Sequence, residues 1–226
     1  MLEVTNLGKE FATTNKVLKV LDDISFKVSK GESLSIVGPS GSGKTTLLGL
    51  CAGLDVPSVG AVSLNDIKLN ALSEDDRAYI RNQYVGFVFQ NFQLLPALTA
   101  VENITVPMEL RGDKVSIEYA TELLDRVGLA DRALHYPTQL SGGEQQRIAI
   151  ARAFITDPAV LFADEPTGNL DEETAEGITE LLFKINKEQN TTLVMVTHNM
   201  LLANRTGRIL KLKGGKLIED KATAIV

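Results

Sequence analysis

Residues 33–46 read Ser33-Leu34-Ser35-Ile36-Val37-Gly38-Pro39-Ser40-Gly41-Ser42-Gly43-Lys44-Thr45-Thr46. An apolar run passes directly into a glycine-rich turn, and the turn into the apolar stretch 47–53, so the order is strand, loop, helix. Gly38 and Gly43 stand at the fixed glycines of G-x-x-x-x-G-K-[ST]. At that spacing small residues let backbone N–H groups turn inward on phosphate oxygens at a helix N-terminus. Lys44 would neutralise the β and γ phosphates of ATP, with Pro39, Ser40, Gly41, Ser42 and Thr46 completing the cradle. The Thr45 hydroxyl matches Mg²⁺, a hard cation that prefers oxygen and is bound largely through the nucleotide's own phosphates. A glycine-rich turn with no ligand is the bland alternative, and the flanking strand and helix speak against it.

Holding ATP does not hydrolyse it: the metal needs a carboxylate and the attacking water needs a group to orient or deprotonate it. Val160-Leu161-Phe162-Ala163-Asp164-Glu165 supplies both. Four apolar residues predict a buried strand, whose end delivers two adjacent carboxylates to the edge of a parallel sheet where the glycine-rich loop would open. Asp164 is expected to support Mg²⁺ and Glu165 to act as the base. Taken alone, the segment could also be a strand followed by a capping or surface acidic pair.

Outward from these two anchors, short apolar or alternating runs predict further strands at Leu2 to Asn6, Ile24 to Val28, Ala61 to Leu64, Val85 to Phe89, Ala159 to Ala163, Thr192 to Thr197 and Arg208 to Leu212. Helical periodicity places Ile117, Ala120, Leu123, Leu124 and Val127 on one face ended by Gly128, and Ile148, Ile150, Ala151 and Phe154 in a helix stopped before Pro158. The expected fold is an α/β core of P-loop type with a parallel sheet, covering about 1–92 and 157–226. Into it is inserted a helical subdomain at about 93–156, and the early strands form an antiparallel layer. All of it belongs to a single domain spanning residues 1–226.

The chain has 226 residues, of which 44% are hydrophobic, enough for one sizeable core. A net charge of -6 argues against a sequence-independent grip on nucleic-acid phosphates, so no nucleic-acid partner is expected. The single cysteine, Cys51, cannot form an internal disulfide, and Met1-Leu2-Glu3-Val4-Thr5 lacks the pattern of a signal peptide, which points to the cytosol. The longest stretch free of polar side chains, Leu47 to Leu54, is far short of the roughly 20 residues of a spanning helix, so a membrane role must come through a partner.

Leu140-Ser141-Gly142-Gly143-Glu144-Gln145-Gln146-Arg147 carries the Ser-x-x-Glu spacing of a capping box at the start of an apolar-periodic helix. Glycines in a first helical turn cost stability that a purely structural cap need not spend. Close approach of a phosphate to Ser141, Gly142 and Gly143 would explain them. This run resembles the signature motif of ATP-binding cassette (ABC) ATPases, and it lies between the P-loop and the acidic strand in that family's order.

The resemblance covers essentially the whole chain and implies further roles. Phe11 is similar to the aromatic that stacks on adenine, without the hydroxyl that family members often carry. Gln90, after the strand Val85 to Phe89, resembles the Q-loop glutamine that contacts Mg²⁺ and the attacking water. Gly168-Asn169-Leu170-Asp171 resembles the D-loop, with Asp171 also placed to cap the following helix. His198 resembles the switch histidine that contacts the γ-phosphate. In the family two cassettes bind ATP between them, so one P-loop and one signature imply a homodimer beneath separate membrane subunits. Coupling helices of those subunits would dock near the Q-loop, with Phe92, Leu94, Leu95 and Pro96 as candidates unless these are core residues. Ala52-Gly53-Leu54-Asp55, Gly86-Phe87-Val88-Phe89-Gln90 and Ala163 to Asp171 are similar to the LolD and MacB branch and most to YbbA-like ATPases. That branch implies a permease with a large extracytoplasmic domain, driven from the inner face of the cell membrane for export, lipoprotein release or mechanotransmission.

Two other function classes compete. A soluble ABC-type machine on DNA or ribosomes would need a coiled-coil insertion, tandem cassettes or a basic surface, none of which is visible. A P-loop kinase would account for Lys44 and Asp164 but not for the signature, the D-loop or His198. Arg111-Gly112-Asp113 spells an adhesion tripeptide, yet its glycine reads as a helix stop. Cys51 reads as a buried inert thiol and His135 as structural.

Overall fold

The computed structural model describes residues 1–12 and 16–223. In chain order the elements are β1 (Leu2–Ala12), β2 (Val17–Val28), β3 (Ser33–Val37), α1 (Lys44–Cys51), β4 (Val59–Leu64), β5 (Ile67–Lys68), α2 (Glu74–Tyr84), β6 (Val85–Phe89), α3 (Ala100–Arg111), α4 (Ile117–Arg126), α5 (Gly142–Phe154), β7 (Val160–Asp164), α6 (Glu172–Gln189), β8 (Thr192–Val196), α7 (Met200–Ala203), β9 (Arg208–Lys213) and β10 (Lys216–Ala222). They fall into two compact units, Met1–Arg81 with Thr192–Val226, and Asn82–Thr191. No helix among the described residues is long and apolar enough to cross a membrane.

In the first unit an antiparallel sheet has the order β2-β1-β4-β5. The register of β1 on β2 slips between Val4 and Leu7, Leu7 and Lys9, and Lys9 and Glu10. Each slip is a bulge that breaks the alternation of inward and outward residues, with Asn6 in the left-handed region at φ 45. The alternating pattern therefore stops near Asn6 although the strand continues to Ala12. β3 lies between β8 and β9 and runs parallel to both, and β10 closes antiparallel on β9. Leu34, Ile36 and Val37 are buried, as a strand covered on both faces requires. Ser35 is buried too and accepts a hydrogen bond from Thr206 Oγ1 at 3.1 Å. β10 carries the polar sequence KLIEDKA, which leaves no apolar alternation to read.

The second unit is built around α5, which packs on α3, α4, α6 and β6. Its residues Ile148, Ala149, Ile150, Ala151, Ala153 and Phe154 are buried, a helix enclosed on most of its circumference. β6 and β7 run parallel, with Phe87 opposite Phe162. Thr99 and Glu102 form a capping box at the start of α3, and Gly112, left-handed at φ 74, ends it. The tripeptide 111–113 is thus a helix stop, and Arg111 is turned onto the Thr156 carbonyl at 3.0 Å. On α4 the residues Ala120, Leu123 and Leu124 are buried as the periodicity predicts. Ile117, the first residue of α4, is 56% exposed, against the buried face the periodicity assigns it.

Candidate active site

In the first unit, β3 leads straight into the glycine-rich loop and α1. The Ser42 N–H donates to the Pro39 carbonyl at 3.2 Å, which folds the loop on itself. Lys44 Nζ donates to the carbonyls of Gly38 at 3.0 Å and Pro39 at 3.1 Å, so the ammonium bridges the loop. Gly43 caps α1, and no side chain accepts a hydrogen bond from the helix at that cap. Ser42 Oγ is buried and has no hydrogen-bond partner. A buried hydroxyl without a partner costs free energy that a phosphate oxygen would offset. These donors fit a polyphosphate.

Phe11 lies on β1 opposite Leu18 and is 41% exposed. The Lys9 ammonium stands 5.0 Å from its ring centroid, held by Asp55 at 2.6 Å and the Val56 carbonyl at 2.7 Å. Lys9 is itself buried, so one side of the ring carries a fixed cation. His198 follows β8 and is exposed, and the next residue, Asn199, caps α7 by accepting from the Leu201 N–H at 2.9 Å. Cys51 is enclosed in α1, and burial pushes its thiol up, away from any reactive thiolate.

The second unit gathers Gln90, Ser141 to Gly143, Asp164, Glu165 and Asp171. Phe89 is in register with Asp164 on the parallel pair β6 and β7, so Gln90 and Glu165 leave neighbouring strand ends. Glu165 has φ 47, a left-handed conformation uncommon for a residue with a side chain. Its carbonyl accepts the Gly168 N–H at 3.0 Å, closing a tight turn. Gln90 Nε2 donates to Asn169 Oδ1 at 3.0 Å, and Asn169 Nδ2 donates to the Gln90 carbonyl at 3.0 Å. Asp171 caps α6, accepting the Thr174 N–H at 3.0 Å, and that backbone donor holds its carboxyl below the usual range.

The signature segment forms the expected capping box. Ser141 Oγ accepts the Glu144 N–H at 3.2 Å, and Glu144 Oε2 accepts the Ser141 N–H at 2.8 Å. The Ser141 backbone donor and then Arg132, at 3.1 Å, lower the Glu144 pKa. Gly143 has a packing reason of its own: a Cβ there would stand 2.6 Å from Thr174 Cγ2. Gln146 Nε2 donates to the Pro166 carbonyl at 2.6 Å, which ties α5 to the turn after Glu165. Asn169, Gln146 and Arg152, whose Nη2 donates to the Phe92 carbonyl at 2.8 Å, all hold this network together. None of them stands out in the sequence, since each lies among residues already explained by a cap, a turn or helical periodicity.

No group of three or more His, Cys, Asp or Glu among the described residues could hold a metal. Within the second unit, Gln90 and Asp164 offer oxygen ligands of the kind that Mg²⁺ prefers.

The ABC transporter family profile matches residues 21–168. The chain is 49% identical to the uncharacterized ABC transporter ATP-binding protein YbbA of Escherichia coli over 222 residues, covering 97% of each. It is 48% identical to the lipoprotein-releasing system ATP-binding protein LolD 1 of Rhodopirellula baltica, covering 96% of each. Among solved structures, the dimeric, post-hydrolysis ATP-binding cassette MJ0796 bound to ADP and Pi superposes with a TM-score of 0.92 at 39% identity, covering 99% of each chain.

Proposed function

The chain belongs to the ABC transporter family, and from that premise we propose that it is the ATP-hydrolysing subunit of a transporter complex, coupling ATP-driven dimerisation to a membrane permease. The observation that carries this reading furthest is the register of Phe89 on Asp164, which sends a glutamine and a glutamate out of adjacent strand ends. We read residues 1–226 as one ATPase domain with its helical subdomain at about 93–156.

In this reading Phe11 stacks on the adenine while the loop from Gly38 to Thr46 wraps the phosphates and Lys44 neutralises them. Thr45, Gln90 and Asp164 would hold Mg²⁺, which supplies charge neutralisation at the β and γ phosphates. Glu165 takes a proton from water as the water oxygen attacks the γ-phosphorus and the bond to the ADP oxygen breaks. His198 donates to the γ-phosphate, and Gln90 orients the water. Ser141, Gly142, Gly143 and Asp171 act on the nucleotide held by a second copy, so turnover requires two chains. The permease carries an extracytoplasmic domain and recruits the chain to the inner face of the membrane, for export, lipoprotein release or transmitted motion.

The test is to tag Glu165→Gln in the native cell, extract membranes in detergent with Mg-ATP, and identify what co-purifies by mass spectrometry. Recovery of an ATP-bound dimer with a permease bearing a large outer domain is the expected result. Recovery of soluble proteins alone, with the tagged chain absent from membranes, would overturn the coupling.

A further inference from the structure

A buried lysine joins the strand that carries Phe11 to the segment that leaves α1. After α1 the chain turns at Gly53, left-handed at φ 71, whose carbonyl accepts from Arg81 Nη1. The residues that follow lie along β1. The Ser58 N–H donates to the Gly8 carbonyl at 2.9 Å, and Ser58 Oγ accepts the Glu10 N–H at 3.0 Å. Between these two stitches Lys9, 8% exposed, sends its ammonium to Asp55 Oδ2 at 2.6 Å and to the Val56 carbonyl at 2.7 Å. Asp55 is fixed in its turn, because its other oxygen, Oδ1, accepts the Val56 N–H at 2.7 Å. The Phe11 ring, two residues on, has its centroid 5.0 Å from the same ammonium. All of these residues belong to the first unit.

Burying a lysine costs rotamer freedom and hydration that its partners must offset. The two hydrogen bonds through Ser58 already hold this part of β1, so the strand does not need the ammonium to stay in place. What the ammonium adds is a fixed point beside a ring that is 41% exposed. Of its three donors, the carboxylate and the carbonyl take two and leave the third for the π face. We propose that Lys9 is a positioning residue for nucleotide binding: anchored by Asp55 and Val56, it holds the Phe11 ring at a set place relative to the glycine-rich loop, so that the base and the phosphates of one ATP are met together. The proposal rests on the reading of Phe11 as the surface that stacks on adenine and adds what holds that surface.

The path from ring to phosphates is short and stiff. α1 starts at Lys44 in the glycine-rich loop and ends at Cys51, and its 8 residues make about 12 Å of hydrogen-bonded helix. Asp55 lies four residues beyond Cys51, and Lys9 carries its position across to Phe11. A ring ordered before the base arrives loses little freedom on binding, whereas the ordering of a free ring offsets part of the stacking energy. The effect of Lys9 is therefore confined to ligands that carry a base, a selectivity that an ion pair serving only the fold does not have.

The test measures the affinity of the full chain for Mg-ATP and for inorganic tripolyphosphate, which has phosphates and no base, in the Glu165→Gln background that leaves the ligand intact. Lys9→Met keeps the length of the side chain and removes its charge. It should raise the Kd for ATP about fivefold, the effect of releasing one side chain, and leave the Kd for tripolyphosphate unchanged. In a Phe11→Ala background the same change should add nothing, since the ring it positions is gone. Asp55→Asn keeps the ammonium and loosens its anchor, and should raise the Kd for ATP about threefold with the same selectivity. That variant decides the matter where Lys9→Met melts too low to titrate. With Glu165 in place, the loss should fall on KM for ATP and not on kcat. Equal losses for ATP and tripolyphosphate, or an undiminished Lys9→Met effect on top of Phe11→Ala, place the action of Lys9 in the fold and overturn the proposal. Unchanged ATP affinity in the folded Lys9 and Asp55 variants, beside a loss in Phe11→Ala, overturns it and leaves the role of Phe11 standing. Unchanged affinity in Phe11→Ala overturns the reading of Phe11 and the proposal with it.

Discussion

Gln90 and Asn169 grip each other twice: the glutamine amide donates to Asn169 Oδ1, and the asparagine amide donates back to the Gln90 carbonyl, each at 3.0 Å. Asn169 Nδ2 also reaches Asn91 Oδ1 at 2.7 Å. Asn169→Ala removes all of these contacts and frees the Gln90 amide to turn. Turnover is expected to fall about tenfold, roughly the effect of losing one well-placed hydrogen bond, with ATP affinity of the isolated chain little changed. Phosphate release measured beside a fluorescent-nucleotide titration checks it, and equal losses in both would refute the split.

Glu165 combines a proposed chemical role with a left-handed backbone, φ 47. Glu165→Gln should stop turnover while binding persists and an ATP-bound dimer accumulates. Two inactive variants separate the backbone from the carboxylate: Glu165→Gly should be more stable than Glu165→Ala by about 1 kcal/mol, because glycine adopts this conformation without steric cost. Chemical denaturation of both reads the difference, and an alanine variant as stable as the glycine one would show that the conformation carries no strain.

Phe11 offers one partly open ring face with Lys9 fixed near it. Phe11→Ala should raise the Kd for ATP about tenfold, and Phe11→Tyr should leave it nearly unchanged, since stacking uses the ring and not a hydroxyl. Isothermal titration with the Glu165→Gln background, which does not consume the ligand, measures both.

Gly143 and Thr174 are too close to admit a Cβ at 143. Gly143→Ala should cost about 1–3 kcal/mol of stability through overpacking. Replacing Thr174 by Ser removes the offending Cγ2 and should recover most of it. If hydrolysis stays low in the restored double variant, the bare backbone at Gly143 has a chemical duty beyond packing.

The Glu144 carboxyl titrates below its ordinary value, first through the Ser141 N–H and then through Arg132. A depressed folded value means that the stabilisation is complete above the unfolded pKa of about 4.3 and is lost as pH falls through the folded one. Glu144→Gln should therefore be less stable near neutrality and lose less on acidification. Melting curves from pH 7 to pH 3 would show it, and parallel curves for the two proteins would refute it.

The P-loop, the buried strand before Asp164 and the Ser141 cap were legible because each rests on local rules: apolar runs, glycine spacing and Ser-x-x-Glu. The strand boundaries at β3 and β6 coincide with the apolar runs 33–37 and 85–89. α2 was not legible, since EDDRAYIRNQY buries only Arg77 and Ile80 and shows no apolar stripe. The same holds for the clasp of Gln90 by Asn169 and the hold of Arg152 on Phe92 and Gln93. Those pairs lie 79 and about 60 residues apart, and contacts at such range follow from packing that no local pattern encodes. The left-handed turn at Glu165 leaves no trace in composition either, because glutamate does not favour it.

α5 has Ser141 at its head and Arg152 near its foot, and its 13 residues, Gly142–Phe154, form a single unbroken rod. A hydrogen-bonded helix of that length spans about 20 Å and resists stretching far more than it resists tilting. Any displacement delivered to one end must therefore reappear at the other as translation or tilt and cannot be absorbed along the way. The helix is a connecting rod between its N-terminal serine and its arginine.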